Sequence, residues 1–306
     1  MSPVTIVSGD IFRLHDCRGH PETQERLLRA HSGVPPGTPV VAPEIASRED
    51  LLRVHTSGYV DMIQNAAASL PEHQCRYLDP DTYITCHSFE VALYAAGTGI
   101  QCVRAAGDGT TLFALIRPPG HHAGASSHLG FCIFNTAAVA AAYALLHLDR
   151  VAIVDWDVHH GNGTQEIFYF SDNVLYCSVH QEYLFPGTGR REERGAGQGE
   201  GFTLNAPLPA GSSLADYRKV VIDEFLPAIL QFDPGIIIIS AGQDCLSDDP
   251  LGGMSLCPGD LGTLTSLLAA PGIPLTLLLE GGYGPSHPAA IAAIIHALEE
   301  PEEIVR

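Results

Sequence analysis

The chain has 306 residues, 45% of them hydrophobic, with 16 Lys and Arg against 35 Asp and Glu, a formal charge of -19. That length and apolar content suffice for one large α/β core, and the acidic balance lacks the basic footprint that direct nucleic-acid binding needs. No basic-then-apolar leader follows Met1 and no apolar run is long enough to cross a bilayer. The eight cysteines are scattered without a CxxC pair, mostly in apolar runs. Together these features predict a soluble, cytoplasmic chain with free thiols and no membrane partner.

In chain order, residues 4–12 read as a short edge strand running into a loop. A helix is expected over 23–31, with Pro21 at its start, where a missing N–H costs nothing. Residues 32–43 are rich in Pro and Gly and read as loop. Helical patterns follow at 48–55, 57–70 and 88–106, then a buried strand at 111–116 and an Ala-rich helix at 134–148. The apolar run from Val151 to Val154 reads as a strand buried on both faces, with a helix after it around 165–170. A strand at 174–179, a long polar loop at 181–201 and a helix at 214–230 come next. Ile236 to Ser240 and Leu275 to Glu280 are the last buried strands, and a helix around 288–298 closes the chain. The glycine-rich 195–201 lacks the Lys and flanking elements of a phosphate loop and reads as flexible. This alternation predicts one doubly wound, mostly parallel α/β sheet with helices on both faces, a single domain over 1–306 without internal repeats.

Polar chemistry gathers just past four of these strands: His121 and His122, the run from Asp155 to Asn162, Asp244, and Tyr283. In a parallel sheet those carboxyl ends share one edge, where ligands bind. Asp155, Asp157 and His159 alternate with Val154, Trp156 and Val158, so the first three start on one side. Each signal alone has a plainer reading, such as a helix cap or a turn residue; their coincidence does not. Carboxylate oxygen with imidazole nitrogen suits a borderline divalent metal, zinc above all. The simplest assembly takes Asp157, His159 and Asp244 as three ligands with an open position for water. His121 and His122 then supply proton transfer, with Asp155 and Asn162 as acceptors that fix their tautomers. Tyr283 offers an O–H to a developing oxyanion. The expected chemistry is metal-assisted hydrolysis of an amide or ester.

Several motifs resemble the zinc-dependent histone deacetylase / acetylpolyamine amidohydrolase family. They are Pro118-Pro119-Gly120-His121-His122, Gly130-Phe131-Cys132, the run from Asp155 to Thr164, Phe185-Pro186-Gly187-Thr188-Gly189, Ser240-Ala241-Gly242-Gln243-Asp244, Asp249-Pro250-Leu251-Gly252-Gly253 and Glu280-Gly281-Gly282-Tyr283. The proline before the His pair and the Asn at 162 look closest to the class II-like bacterial branch. The resemblance implies an arginase-like α/β fold and one zinc per chain on Asp157, His159 and Asp244. It implies His122 as working base and acid, His121 in an electrostatic role, Asp155 orienting His121 and Asn162 orienting His122. It implies a narrow tunnel for an acyl-lysine stem, with substrate contacts at Gly130, Phe131, Phe185 and Leu251, Asp81 at the rim and Arg26 below the metal. It also implies a potassium ion held by Asp155, Asp157, His159, Ser178 and Val179. Two departures, Gln243 for an aromatic and Ile133 for a Tyr-like residue, are expected to alter the tunnel floor.

The expected activity is removal of an acetyl or other acyl group from the lysine side-chain amine of a protein or peptide. A small acylated amine such as an acetylpolyamine is the alternative substrate. Two remoter readings are an arginase-like ureohydrolase with two manganese ions and a non-catalytic acyl-lysine binder. The first needs a further Asp after the ligand His, where this chain offers His160 and Gly161; the second is disfavoured by the presence of both His122 and Tyr283.

Overall fold

Four apolar runs that the sequence spreads over more than half the chain lie side by side in one sheet. The computed structural model describes residues 4–300. Its strands are β1 (Thr5–Val7), β2 (Val40–Val41), β3 (Cys75–Tyr77), β4 (Tyr83–Thr85), β5 (Leu112–Ala114), β6 (Val151–Asp155), β7 (Val174–Gln181), β8 (Thr203–Leu208), β9 (Ile237–Ser240) and β10 (Leu275–Leu278). Eight of them form a sheet of order β2-β1-β5-β10-β9-β6-β7-β8, and β3 and β4 pair separately as an antiparallel hairpin. Every pairing in the large sheet is parallel, more uniform than the mostly parallel sheet expected. The register aligns Ala114, Leu278, Ser240, Asp155 and Ser178 across five adjacent strands. The segments beyond those residues therefore leave the sheet on one edge.

The central strands are buried along their whole length, because helices cover the sheet. These are α1 (Gln24–Ser32), α2 (Arg48–Leu51), α3 (Ser57–Ala68), α4 (Ser88–Gly107), α5 (Thr136–Ala144), α6 (Asn162–Phe168), α7 (Leu214–Val220), α8 (Leu226–Phe232), α9 (Pro258–Ala269) and α10 (His287–Glu299). Eight alanines and glycines of α4, together with the Ala-rich α5, let these two helices approach closely; a Cβ on Gly99 would crowd Thr136. A second apolar cluster joins α2, α3 and α4 around Tyr59, Ile63 and Phe134.

Several expectations need correction. β1 is an interior strand; the edge is β2, drawn from the segment read as loop, because Ile6 and Val7 pair with Val40 and Val41. Helix α1 starts at Gln24 behind the cap residue Thr23, so Pro21 stands outside it. The expected helix over 214–230 is divided by a π-helical segment, Val221–Phe225. Pro227 stands in the first turn of α8, after Leu226, and a proline that lacks its N–H displaces the regular ladder there. The glycine-rich 195–201 includes a 3-10 turn, and Ala196 N–H donates to Tyr169 O at 2.9 Å, so it is pinned rather than flexible. Cys17 and Cys75 form a disulfide across 58 residues, against the expectation of free thiols. Pairing of β3 with β4 brings Cys75 under the loop before α1, a proximity no local spacing announces.

Candidate active site

The two carboxylates and one imidazole past β6 and β9 converge. His159 Nδ1 lies 3.2 Å from Asp157 Oδ1 and 3.2 Å from Asp244 Oδ2, and the three donor atoms all fall within 4.8 Å of one another. Backbone amides hold each carboxylate in place. Asp157 accepts from His159 N at 2.9 Å and from Gly281 N at 2.9 Å, and Asp244 accepts from Val158 N at 2.9 Å. A side chain at Gly281 would collide with Asp244 Oδ2 and crowd Asp157, so that position has to be bare. Burial and the neighbouring Asp157 charge push the Asp244 carboxyl up to about 7. Burial would lower His159, but hydrogen bonds to Asp157 and Asp244 override it and raise the imidazole to about 10. A donor set of two carboxylates and one imidazole packed this tightly suits a zinc-class cation.

The His pair sits beside this triad with its rings 4.0 Å apart, and the two imidazoles have different partners. His121 Nδ1 donates to Asp155 Oδ2 at 3.0 Å, and the same oxygen accepts from Tyr176 Oη at 3.0 Å. His122 Nδ1 donates to the amide oxygen of Asn162 at 2.8 Å. Burial would lower His121, yet the charges of Asp157 and Asp155 raise it well above the ordinary imidazole range. Burial and then the charges of His121 and His159 lower His122 well below that range. The pair is thus polarised: one imidazole favours its cation, the other stays neutral.

A cavity of about 280 Å³ opens over these groups. Asp81, Gly130, Phe131, Phe185, Leu251 and Tyr283 line it together with His121, His122 and the triad. Phe131 takes a left-handed backbone, φ 70°, directly after Gly130 at φ 54°. Such a conformation costs a non-glycine residue about 1–3 kcal/mol and persists only where its surroundings fix it. Thr82 Oγ1 accepts the Phe131 amide at 3.1 Å, and the His20 ring packs edge-on at 4.6 Å. Asp81 is held at the rim through its carbonyl, which accepts His20 Nε2 at 2.9 Å.

Three expected positions lie elsewhere. Arg26 does not line the cavity: it is fully buried behind it, where it pairs with Glu22 at 3.3 Å and donates to Glu280 O and, at 2.7 Å, to Gly282 O. Its guanidinium lies 5.0 Å from the Tyr283 ring centroid. Gln243 and Ile133 do not line the cavity either; Gln243 turns back to Ala241 O at 3.1 Å and Ile133 packs in the second core. Ser178 and Val179 are buried on β7, and Ser178 Oγ contacts His180 Nδ1 at 2.9 Å.

Two carboxylates that sequence reasoning gave no role join the pieces. Glu280 accepts from Gly120 N at 2.7 Å, His121 N at 3.2 Å and Ser240 Oγ at 3.0 Å, tying the ends of β5, β9 and β10. Asp249 accepts from Tyr283 N at 2.6 Å and Gly284 N at 2.9 Å with one oxygen, and from Leu251 N at 2.9 Å with the other. Their only signal in the sequence was a carboxylate inside an otherwise glycine-rich turn motif. His160, the position where a binuclear site would want a carboxylate, has both nitrogens engaged, with Thr188 Oγ1 at 2.7 Å and Gln165 Oε1 at 3.0 Å.

The family model described as the histone deacetylase domain matches residues 20–298. The chain belongs to the histone deacetylase family. It is 39% identical over 279 residues to a "Probable deacetylase" of Archaeoglobus fulgidus, covering 86% of this chain and 76% of that one. It is 38% identical over 299 residues to the "Histone deacetylase-like amidohydrolase" of Pseudomonas aeruginosa, covering 94% and 78%. Against "Histone deacetylase 15" of Arabidopsis thaliana it is 40% identical over 92% of its own length but only 54% of the relative's. The crystal structure of the HDA15 HD domain superposes with a TM-score of 0.91 at 36% identity, over 97% of this chain and 88% of that one. The eight-stranded sheet is therefore the deacetylase fold of this family, and the chain is a hydrolase of the deacetylase and amidohydrolase kind. Among the described residues no helix is long and apolar enough to cross a membrane.

Proposed function

We propose that this chain is a single catalytic domain that removes an acyl group from the side-chain amine of lysine, with one zinc at Asp157, His159 and Asp244. The observation that carries the proposal is the placement of that triad at the floor of a cavity whose walls hold His122, Tyr283, Phe131, Phe185 and Leu251. Zinc bound there supplies a water acidified toward neutral pH and polarises the amide carbonyl. His122 is the proton carrier, because its partner Asn162 is neutral and leaves the imidazole uncharged until it takes a proton. With Nδ1–H donated to Asn162, Nε2 is free to accept the proton of the attacking water and return it to the departing amine. His121 faces a carboxylate instead and contributes fixed positive charge. Tyr283 donates its O–H to the oxyanion that develops on the former carbonyl. Phe131 and Phe185 flank the stem of the substrate and exclude water.

The lysine assignment rests on the wall. Leu251 is apolar, so the methylene stem of lysine packs there without penalty, while the second ammonium of a polyamine finds no counter-charge at that wall, the cavity's carboxylate outside the triad, Asp81, standing at the rim. The net charge of -19 attracts polycations in general, but salt screens that field and it does not discriminate inside the cavity. A potassium ion held by Asp155, Asp157, His159, Ser178 and Val179, and a cytoplasmic setting in which Cys17–Cys75 is open to reduction, belong to the same proposal. The test is a panel of acetylated peptides, longer acyl-lysines and acetylspermidine on zinc-loaded protein. Acetyl-lysine peptide should show the higher kcat/KM; equal or better turnover of acetylspermidine at physiological salt overturns the assignment.

A further inference from the structure

The β3–β4 hairpin ends, at its tip, in the segment that carries Asp81 to the cavity rim. Its two base segments meet. Glu72 stands in the turn between α3 and β3, and Cys86 and His87 stand between β4 and α4. A Glu72 carboxylate oxygen, Cys86 Sγ and a His87 ring nitrogen all lie within 4.8 Å of one another. His87 Nε2 is 3.3 Å from Glu72 Oε2. The imidazole and thiol are half-buried, whereas the carboxylate is exposed and free to adjust. Ligand atoms around a tetrahedral zinc sit roughly 3.5 Å apart at the usual bond lengths, close to the 3.3 Å that already separates His87 from Glu72.

We propose that Glu72, Cys86 and His87 form a second, surface site for a zinc-class divalent cation, separate from the buried triad. The donor types make the choice of metal. A sulfur, an imidazole nitrogen and a single carboxylate favour zinc or cobalt over magnesium or calcium, which prefer oxygen alone. On binding, the Cys86 thiol gives up its proton to solvent and the fourth position takes water. The cation then bridges the chain entering the hairpin and the chain leaving it. This is a clamp on the element that presents Asp81, and it stands whether or not the lysine assignment does.

Cobalt tests this on the full chain, without added thiol. The buried triad has no sulfur, so a thiolate-to-cobalt charge-transfer band in the near ultraviolet can come only from a cysteine site. Wild-type protein stripped of metal and titrated with Co²⁺ should develop that band along with the visible bands of both sites. Cys86→Ser should lose it and keep the visible bands of the triad; Cys257→Ser, at the exposed free thiol, should keep it. Glu72→Gln, on an exposed side chain that the fold does not need, should retain the band and weaken Co²⁺ binding there by about tenfold or more. No band at saturating Co²⁺, or a band that survives Cys86→Ser, overturns the proposal.

Discussion

His122 donates its Nδ1–H to Asn162 at 2.8 Å, while its neighbour His121 spends the same nitrogen on the Asp155 carboxylate. Burial and two nearby imidazoles lower His122, and the hydrogen bond to the neutral amide offsets this only in part. A base active in its neutral form loses activity as pH falls through its own pKa. Asn162→Asp adds a carboxylate that stabilises the protonated ring, so the acidic limb of the kcat/KM profile should move to higher pH. An unmoved limb would assign that ionisation to another group. In the same profile set, His122→Ala should cost more turnover than His121→Ala.

Tyr283→Phe removes one donor and leaves the ring, with its Arg26 and Phe131 contacts, in place. Turnover should fall by ~10²–10³ with little change in KM. A loss confined to KM would make Tyr283 a binding group only.

Metal loss should leave the fold standing. Asp157→Ala or His159→Ala in a Cys86→Ser background should bring zinc content close to zero and abolish activity, with the far-ultraviolet circular dichroism intact. The large apolar core, not the site, holds the sheet together. Two transition-metal ions per chain in the Cys86→Ser protein would revive the binuclear reading.

Leu251→Glu places a carboxylate on the cavity wall. It should narrow or reverse the kcat/KM preference for acetyl-lysine peptide over acetylspermidine. An unchanged ratio would show that the wall does not set the substrate.

The buried Glu22 makes a stability prediction. Burial alone would raise its carboxyl; Arg117 and then Arg26 override that and bring it to about 2. Its folded pKa lies below the ordinary carboxylate value, so its contribution is full at neutral pH. It fades as pH falls from the ordinary range toward about 2. Glu22→Gln strands two buried guanidiniums and should cost about 3–5 kcal/mol at pH 7 by urea unfolding, with a smaller cost at pH 3. A cost at pH 7 no larger than at pH 3 would rule out this linkage.

The central strands and the groups just beyond them were legible because a strand buried on both faces is almost pure apolar sequence, and an ionisable cluster at its end stands out. The edges were not. β8 contains Pro207 and alternating polar residues, tolerable only because it has a neighbour on one side. α9 begins Pro-Gly-Asp, which reads as a turn until the Cys257 amide is seen donating to Asp260 at 2.7 Å. Arg26 was placed below the metal by motif position, but its reach to Glu280 and Gly282 spans more than 250 residues. Asp249 and Glu280 act through backbone amides, and an acceptor of that kind leaves no pattern in side-chain identity.

The three triad residues come from the segments just past β6 and β9, which are neighbours in the sheet although His159 and Asp244 are separated by 85 positions in the chain. Gly281, whose amide fixes Asp157, arrives 124 positions after it, just past the end of a third strand, β10. Parallel pairings of that span form only after long loops have closed, which makes them late events. A chain still assembling its sheet has the ligand residues but nowhere for them to meet. On the proposed zinc assignment, metal capture should therefore report that the ends of β6, β9 and β10 have come together, and a ribosome-bound or truncated chain lacking β10 should leave the triad empty even in a metal-rich solution.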